Sequence, residues 1–309
     1  MDTTSVTAIP SGSVVVGVDG SDHAEQAVAW AARQADLTGR PLVLLHAVDP
    51  TSTANGLWLS GAGIDLVQLQ HEIEAAAQVL LERTAAEVRA AHPDLETHPV
   101  TRLRDPRQAL LEAATGASLV VVGSRGRGPV ASLLLGSVSA TVVKHATSPT
   151  VVVRPVEGGR TRHGVLVGVD CTSPAPGVLE AAYAQASLRE VPLTVLHCFW
   201  DVLGTAHASR RVPADDTTVD DLRMLLAETV SGMSERYPDV EVHQELARGF
   251  AEELLSRESE THDLVVVGHH PASGMRTFLH GSIALAVVEM ASCPVLVVPL
   301  APRDDTAPR

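Results

Sequence analysis

Residues 14–21 read VVVGVDGS, and residues 165–172 read VLVGVDCT, 151 positions further on. Each is a short run of β-branched and small apolar residues that closes on an aspartate. Such a run, bounded by turn-forming residues, is the signature of a strand buried on both faces. The echo continues: PLVLLHAVD (41–49) returns as PLTVLHCFW (192–200) at the same spacing. HPDLETH (92–98) returns as YPDVEVH (237–243), and SPTVVV (148–153) as CPVLVV (293–298), now at a spacing of 145. The chain is therefore a tandem duplication, and the second copy is six residues shorter between its second strand and the next helix.

Within the first copy, strand-length apolar runs at 14–18, 42–47, 98–101, 119–123 and 150–153 alternate with helical patterns. The clearest helix runs from Asp65 to Ala91, with Leu66, Leu69, Ile73, Ala76, Leu80 and Val88 as its apolar stripe and His92-Pro93-Asp94 as its stop. Leu222, Leu225, Leu226, Val230 and Met233 repeat that stripe in the second copy. The alternation predicts an α/β fold of two tandem open doubly wound, Rossmann-like domains, each with a parallel sheet flanked by helices. The weakly apolar third strands, THPVT and VEVHQEL, suit a sheet edge. The expected domains are 11–155 and 163–300, joined by a linker within VEGGRTRHG (156–164). The stretch 50–64, PTSTANGLWLSGAGI, reads as a long functional loop.

Composition narrows the functional classes. The 309 residues are 45% hydrophobic but only 3% aromatic, so the cores must be made of Val, Leu and Ala. A formal net charge of −14 argues against an electrostatic grip on nucleic acid or on anionic lipid. Three scattered cysteines, Cys171, Cys198 and Cys293, suit reduced thiols rather than a disulfide frame or a zinc site. No signal peptide or membrane-length apolar run is seen, and a cytoplasmic location is expected. Lys144 is the only lysine and lies outside any GxxxxGK[ST] pattern, which excludes a P-loop NTPase.

The loop after the fourth strand, VVVGSRGRGPVASLLLGS (120–137), carries the most chemistry. Gly123, Gly126 and Gly136 follow the spacing G-x-x-G-nine residues-G and lead into Ser137. Glycines let backbone N–H groups approach an anion, and the helix opening at Gly136-Ser137 offers unpaired N–H groups with a favourable dipole. Ser137 is expected to cap that helix and to offer its hydroxyl to a phosphate, while Arg125 and Arg127 supply charge. The same residues also fit a plain structural turn with an ordinary serine cap. Gly126–Ala131 matches G-x-G-x-x-A, but it follows the fourth strand and no acidic residue closes the next one, so a dinucleotide site is set aside. Asp19 ends the first strand, at the sheet end where such folds hold ligands.

The VGVDGS strand end, the LLHAV strand, the VVVGSRG loop, the G-2x-G-9x-G-S spacing and the terminal SPTVVV strand together resemble the universal stress protein family, in its tandem two-domain form. The resemblance covers nearly the whole chain, twice and in order. It implies five-stranded parallel domains of order 3-2-1-4-5, and ATP binding with Mg²⁺ held by the phosphates and water. It implies that Asp19 and Ala47 lie at the adenine and ribose, that Val122 and Gly123 lie along the ribose, and that Gly126, Gly136, Ser137 and Val138 hold the triphosphate.

In the second copy Asp170, Cys198, Gly268, Gly281 and Ser282 match these positions, but Pro271 stands in place of Gly126. Proline has no N–H to donate. His269 and His270 replace Ser124 and Arg125 and read as solvated loop histidines. No catalytic set is present. The reading is an ATP-dependent regulator of stress adaptation, with a slow hydrolase or nucleotidyl-transfer enzyme and an interaction scaffold as alternatives. The resemblance further implies that the terminal strands, 150–154 and 295–299, pair the two domains about a pseudo-two-fold axis, and a homodimer is expected.

Overall fold

The structure, a computed structural model, describes residues 8–49, 66–126, 135–155, 163–171, 175–200, 210–270 and 283–301. It divides into two compact units, Met1–Val153 and Arg154–Arg309. Arg127, the 50–64 stretch, residues 156–162 of the 156–164 linker, Pro271, Gly281 and Ser282 lie outside the described residues.

Unit 1 holds strands β1 (Val14–Gly17), β2 (Leu42–Val48), β3 (Thr97–Leu103), β4 (Leu119–Gly123) and β5 (Thr150–Val153), and helices α1 (Asp22–Thr38), α2 (Leu66–Ala91), α3 (Pro106–Ala114) and α4 (Ser137–His145). The order is β3-β2-β1-β4-β5, with every described pairing parallel. Val15, at 0% exposure, pairs with Val43 on one side and Val120 on the other. Helices α1 and α2 pack together, as do α3 and α4, so the sheet is covered on both faces. This is why the central strands read as unbroken apolar runs rather than as alternating ones.

The α2 stripe differs from the expected one. Its buried residues are Ala77, Leu81, Thr84, Ala85 and Val88, while Ala76 is exposed and Ile73 and Leu80 are half-buried. The buried face is thus centred about one residue further along. Alanine is small enough to sit on either side of such a boundary, so periodicity alone misplaced it by a fraction of a turn.

Unit 2 holds β6 (Val165–Val169), β7 (Leu193–Phe199), β8 (Arg210–Arg211), β9 (Val242–Arg248), β10 (Leu264–His269) and β11 (Val295–Pro299). Its helices are α5 (Pro176–Arg189), α6 (Asp220–Val230), α7 (Met233–Arg236), α8 (Ala251–Glu258) and α9 (Ile283–Met290). The order β11-β10-β6-β7-β9 repeats that of unit 1, and the two-residue β8 adds an antiparallel rung to β9. Strand β9 is therefore not a bare edge, and among the described residues unit 2 contributes six strands rather than five. The single helix expected over Leu222–Met233 is also broken: α6 stops at Val230, Ser231 turns out to ψ 144°, and Gly232 at φ +79° is the N-cap of α7. No helix among the described residues is long and apolar enough to cross a membrane.

Candidate functional site

The site of unit 1 grows from the turn after β1. Gly20 has φ +74°, a conformation that glycine adopts without strain. That turn brings the chain back so that Asp19 Oδ1 accepts from the Ser21 backbone N–H at 2.9 Å and from its hydroxyl at 2.6 Å. Ser21 Oγ in turn accepts from the Ala24 N–H and caps α1. The other carboxylate oxygen, Oδ2, lies against the α-carbon of Gly126, in the space that a Cβ there would need. The strand-end acid and the second loop glycine are thus in contact, although 107 positions separate them in sequence.

The two ends of the phosphate-type loop are tied together. Gly136 N–H donates to Ser124 O at 2.8 Å, and Ser139 Oγ donates to Gly123 O at 2.6 Å. Ser124 N–H bonds Val153 O, which anchors the loop's start to β5. Gly123 is required sterically, since a Cβ there would stand 2.7 Å from the His23 carbonyl oxygen in the first turn of α1. Ser124 is 1% exposed, and its hydroxyl lies 3.4 Å from His23 Nδ1. Helix α4 begins at Ser137 and leaves its first-turn amides without intrahelical acceptors.

The expected serine cap is not formed. Gly136, extended at φ −71° and ψ 151°, is the N-cap, and Ser137 is the first helical residue, with an exposed side chain. Ser137 occupies a helical position, so its side chain is not the one placed to reach the first-turn amides as an Ncap side chain is. The serine that fixes this helix end is Ser139, which reaches back to Gly123. Val138 and Arg125 are half-buried, Gly126 is exposed, and Val122 is 3% exposed at the end of β4. Ala47 is half-buried near the end of β2, in register with Arg102. Its neighbour His46 places Nδ1 2.6 Å from Val18 O, locking the ends of β1 and β2 together.

The universal stress protein family pattern matches residues 11–154 and again 161–299. A universal stress protein of Mycolicibacterium smegmatis is 33% identical over 298 residues, covering 92% of this chain and 96% of that one. One from Mycobacterium tuberculosis H37Rv is 33% identical over 290 residues, covering 92% and 95%. The chain belongs to the universal stress protein family. The crystal structure of a universal stress protein from Archaeoglobus fulgidus DSM 4304 superposes with a TM-score of 0.69 at 20% identity, over 94% of this chain and 99% of that one, and shares the fold.

The second universal stress protein unit has lost several supports of the first. Cys171, 2% exposed, stands where Gly20 stands, and among the described residues no non-glycine other than Glu190 takes a positive φ. Cys171 therefore does not repeat the Gly20 conformation, and α5 starts three residues later than α1 does, with Ala175 as an N-cap that makes no side-chain bond. Ala284 replaces Ser139 and has no hydroxyl to offer Gly268. The would-be Cβ of Gly268 meets Leu300 at 2.8 Å and Val178 at 3.0 Å, so side chains fill the space that the first turn of α1 fills in unit 1. Leu300 N–H bonds His269 O, and His270 Nδ1 lies 3.0 Å from Ala301 O. Asp170 is exposed, and His197 repeats the His46 lock, with Nδ1 3.0 Å from Val169 O. Cys198 is half-buried, and its thiol is pushed up to about 12, first by burial and then by the charges of Glu252 and Glu258.

A cavity of about 310 Å³ lies against β8 and β9, lined in part by Arg211, Arg223, Leu226, Glu245 and Leu246. Its two guanidinium groups are already engaged, Arg211 with Glu245 and Glu258 and Arg223 with Asp220 and backbone carbonyls.

Sequence reasoning found Asp19 and the loop glycines but missed Gly20, Ser21, His23 and Ser139. The signal lay in the repeat itself. Superposing the copies exposes Gly20 over Cys171 and Ser139 over Ala284, differences that a single-copy motif search passes over.

Proposed function

We propose that unit 1 binds ATP and that the protein is a nucleotide-dependent regulator of stress adaptation with little or no turnover. The observation that carries this reading is the fixed Asp19 carboxylate against Gly126, facing a loop whose two ends are pinned by Ser139 and Gly136. The residues fit the ligand. A carboxylate clasped by Ser21 can accept from ribose hydroxyls. The α-carbon of Gly126 leaves no side chain between that acid and the loop, and the first turn of α4 offers amides to an anion.

In this reading Asp19, Ala47, Val122 and Gly123 meet the adenosine. The triphosphate lies on Arg125, Gly126, Arg127, Gly136, Ser137 and Val138. Mg²⁺ is held by the phosphates and water, and it supplies charge neutralisation when bound. The matching set in unit 2, Asp170, Cys198, Gly268, Gly281 and Ser282, lacks the Gly20 turn, the Ser139 tie and the Gly126 amide, so one ATP per chain is the expected stoichiometry.

Calorimetry with Mg-ATP tests this directly. Saturable binding at one site, weakened in Asp19→Ala and lost in Gly126→Pro but kept in Asp170→Ala, supports the reading. No heat at millimolar nucleotide overturns it.

A further inference from the structure

Unit 2 carries a polar cluster where unit 1 has core. At the repeat spacing of 145, Glu245 of β9 stands over Val100, and Glu258 of α8 stands over Ala113. Val100 is 1% and Ala113 5% exposed, so the fold itself asks for apolar side chains at both places. Arg211 lies between the two acids, on β8, a strand without a counterpart among the described residues of unit 1. Its Nη1 donates to Glu245 Oε1 and its Nη2 to Glu258 Oε2, each at 2.6 Å. Exchanging packed apolar side chains for a largely buried ionic triad seldom adds stability. Such a cluster at the wall of a cavity is a candidate site rather than a packing device.

The triad borders the cavity of about 310 Å³ between the β8–β9 rung and α6, a volume at the small end for ligand pockets. Glu245, Arg211 and Gln244 form its polar side, Leu226 and Leu246 its apolar side, and Arg223 reaches it from α6. Two carboxylates against one guanidinium leave a negative charge in the triad. The other cations of this region have their own acids, Arg223 with Asp220 and Arg248 with Asp216. Glu245 Oε2 is shut off from solvent and meets no hydrogen-bond donor among the described residues. Burial pushes the Glu245 carboxyl up, with Arg211 opposing that rise and Glu258 adding to it. The carboxylate gains a donor for its second oxygen by turning about its last side-chain bond, a soft torsion, toward the cavity.

The two arginines offer the complementary chemistry. A guanidinium has five N–H donors. The bonds to Glu245 and Glu258 take two from Arg211. Those to Asp216 O, Asp220 Oδ1 and Pro213 O take three from Arg223. Both therefore keep N–H groups for a further acceptor. A purely cationic ligand would meet two guanidinium groups, and a purely anionic one would meet the excess carboxylate. A ligand with both charges answers both.

We propose that this cavity binds a small aliphatic zwitterion, the chemistry of a free α-amino acid with a short branched side chain. Its ammonium bonds Glu245, its carboxylate takes the remaining N–H groups of Arg211 and Arg223, and its side chain lies on Leu226 and Leu246. The site uses no residue of unit 1 and is independent of the ATP reading.

Calorimetry on the full chain tests this with L-leucine as the probe. Isoamylamine, with the ammonium alone, and 4-methylpentanoate, with the carboxylate alone, serve as its two halves. Saturable leucine binding is expected, about tenfold or more tighter than that of either half. Glu245→Gln should weaken it about tenfold or more. Glu245→Val, which puts the unit 1 side chain at this place, should abolish it. Arg211 keeps Glu258 in that variant, so thermal melting should be unchanged or raised, which shows that the loss is not unfolding. No leucine binding at tens of millimolar overturns the proposal, as does binding that persists in Glu245→Val. Isoamylamine or 4-methylpentanoate binding as tightly as leucine also overturns it, because one of the two charges would then go unrecognised.

Discussion

Asp19 Oδ2 stands where a side chain on Gly126 would have to go. Gly126 is not among the glycines with positive φ, so the objection to a side chain there is steric and not conformational. Gly126→Ala should displace the carboxylate and weaken ATP binding by tenfold or more, about 1.4 kcal/mol. In an Asp19→Ala background the same substitution should cost less than twofold. A double-mutant cycle by calorimetry measures that coupling, and additive losses would refute the contact.

The Ser139 hydroxyl is the tie between α4 and the end of β4. Ser139→Ala removes the 2.6 Å bond and leaves the buried Gly123 carbonyl short of a donor, at a cost of about 1–3 kcal/mol. Urea denaturation should show that loss, and ATP affinity should fall in the same variant because the amides at the start of α4 lose their anchor. Ala284→Gly, at the matching place in unit 2, has no hydrogen bond to lose, and ATP affinity should stay unchanged there.

Asp105 caps α3 and holds Arg107. Its carboxyl is lowered to about 2, chiefly by the side-chain hydrogen bond from Arg107 and further by backbone N–H donors. A depressed folded-state value means that its stabilisation is present above the ordinary carboxylate range and drains away as pH falls toward 2. Asp105→Asn should keep most of the cap while flattening the stability profile between about pH 4 and pH 2. Asp105→Ala should also lose the cap, about 0.5–2 kcal/mol at neutral pH. Denaturant melts across that pH range check both outcomes.

Cys198 should be a quiet thiol despite its partial exposure. With its value raised from 9.0 to about 12, the thiolate needed for attack is on the order of a thousandfold scarcer at pH 8 than in a free cysteine. Disulfide-reagent labelling of the native protein should be slow, and all three cysteines should react rapidly once the chain is unfolded in urea. Because the folded value is the higher one, this group's contribution to stability is lost as pH rises from about 9 toward 12.

The strands were legible because a sheet covered on both faces must be apolar on both faces, and Val14–Val16 and Val120–Val122 are. The ligand-facing glycines were legible for a similar reason: only glycine lets Gly123 meet the His23 carbonyl and Gly126 meet Asp19. What escaped were features with no local signature. Ser139 sits in a helix like any other serine, and only its distance from Gly123 gives it a role. Arg210–Arg211 is too short to show a strand period. Ser231 and Gly232 break a helix whose apolar spacing runs straight through them. The Ser137 cap failed because the cap belongs to whichever residue leaves the extended region last, and that is Gly136.

Leu300 packs against Gly268 and bonds His269, yet the family pattern ends at residue 299. A unit 2 cut out at the family boundary would therefore lose one of the two side chains covering that glycine. Its strand end would lie partly open in an excised piece where the whole protein has it packed. A fragment of unit 2 made for binding or crystallisation should run at least through Ala301, so that no ligand is drawn to a surface opened by the cut.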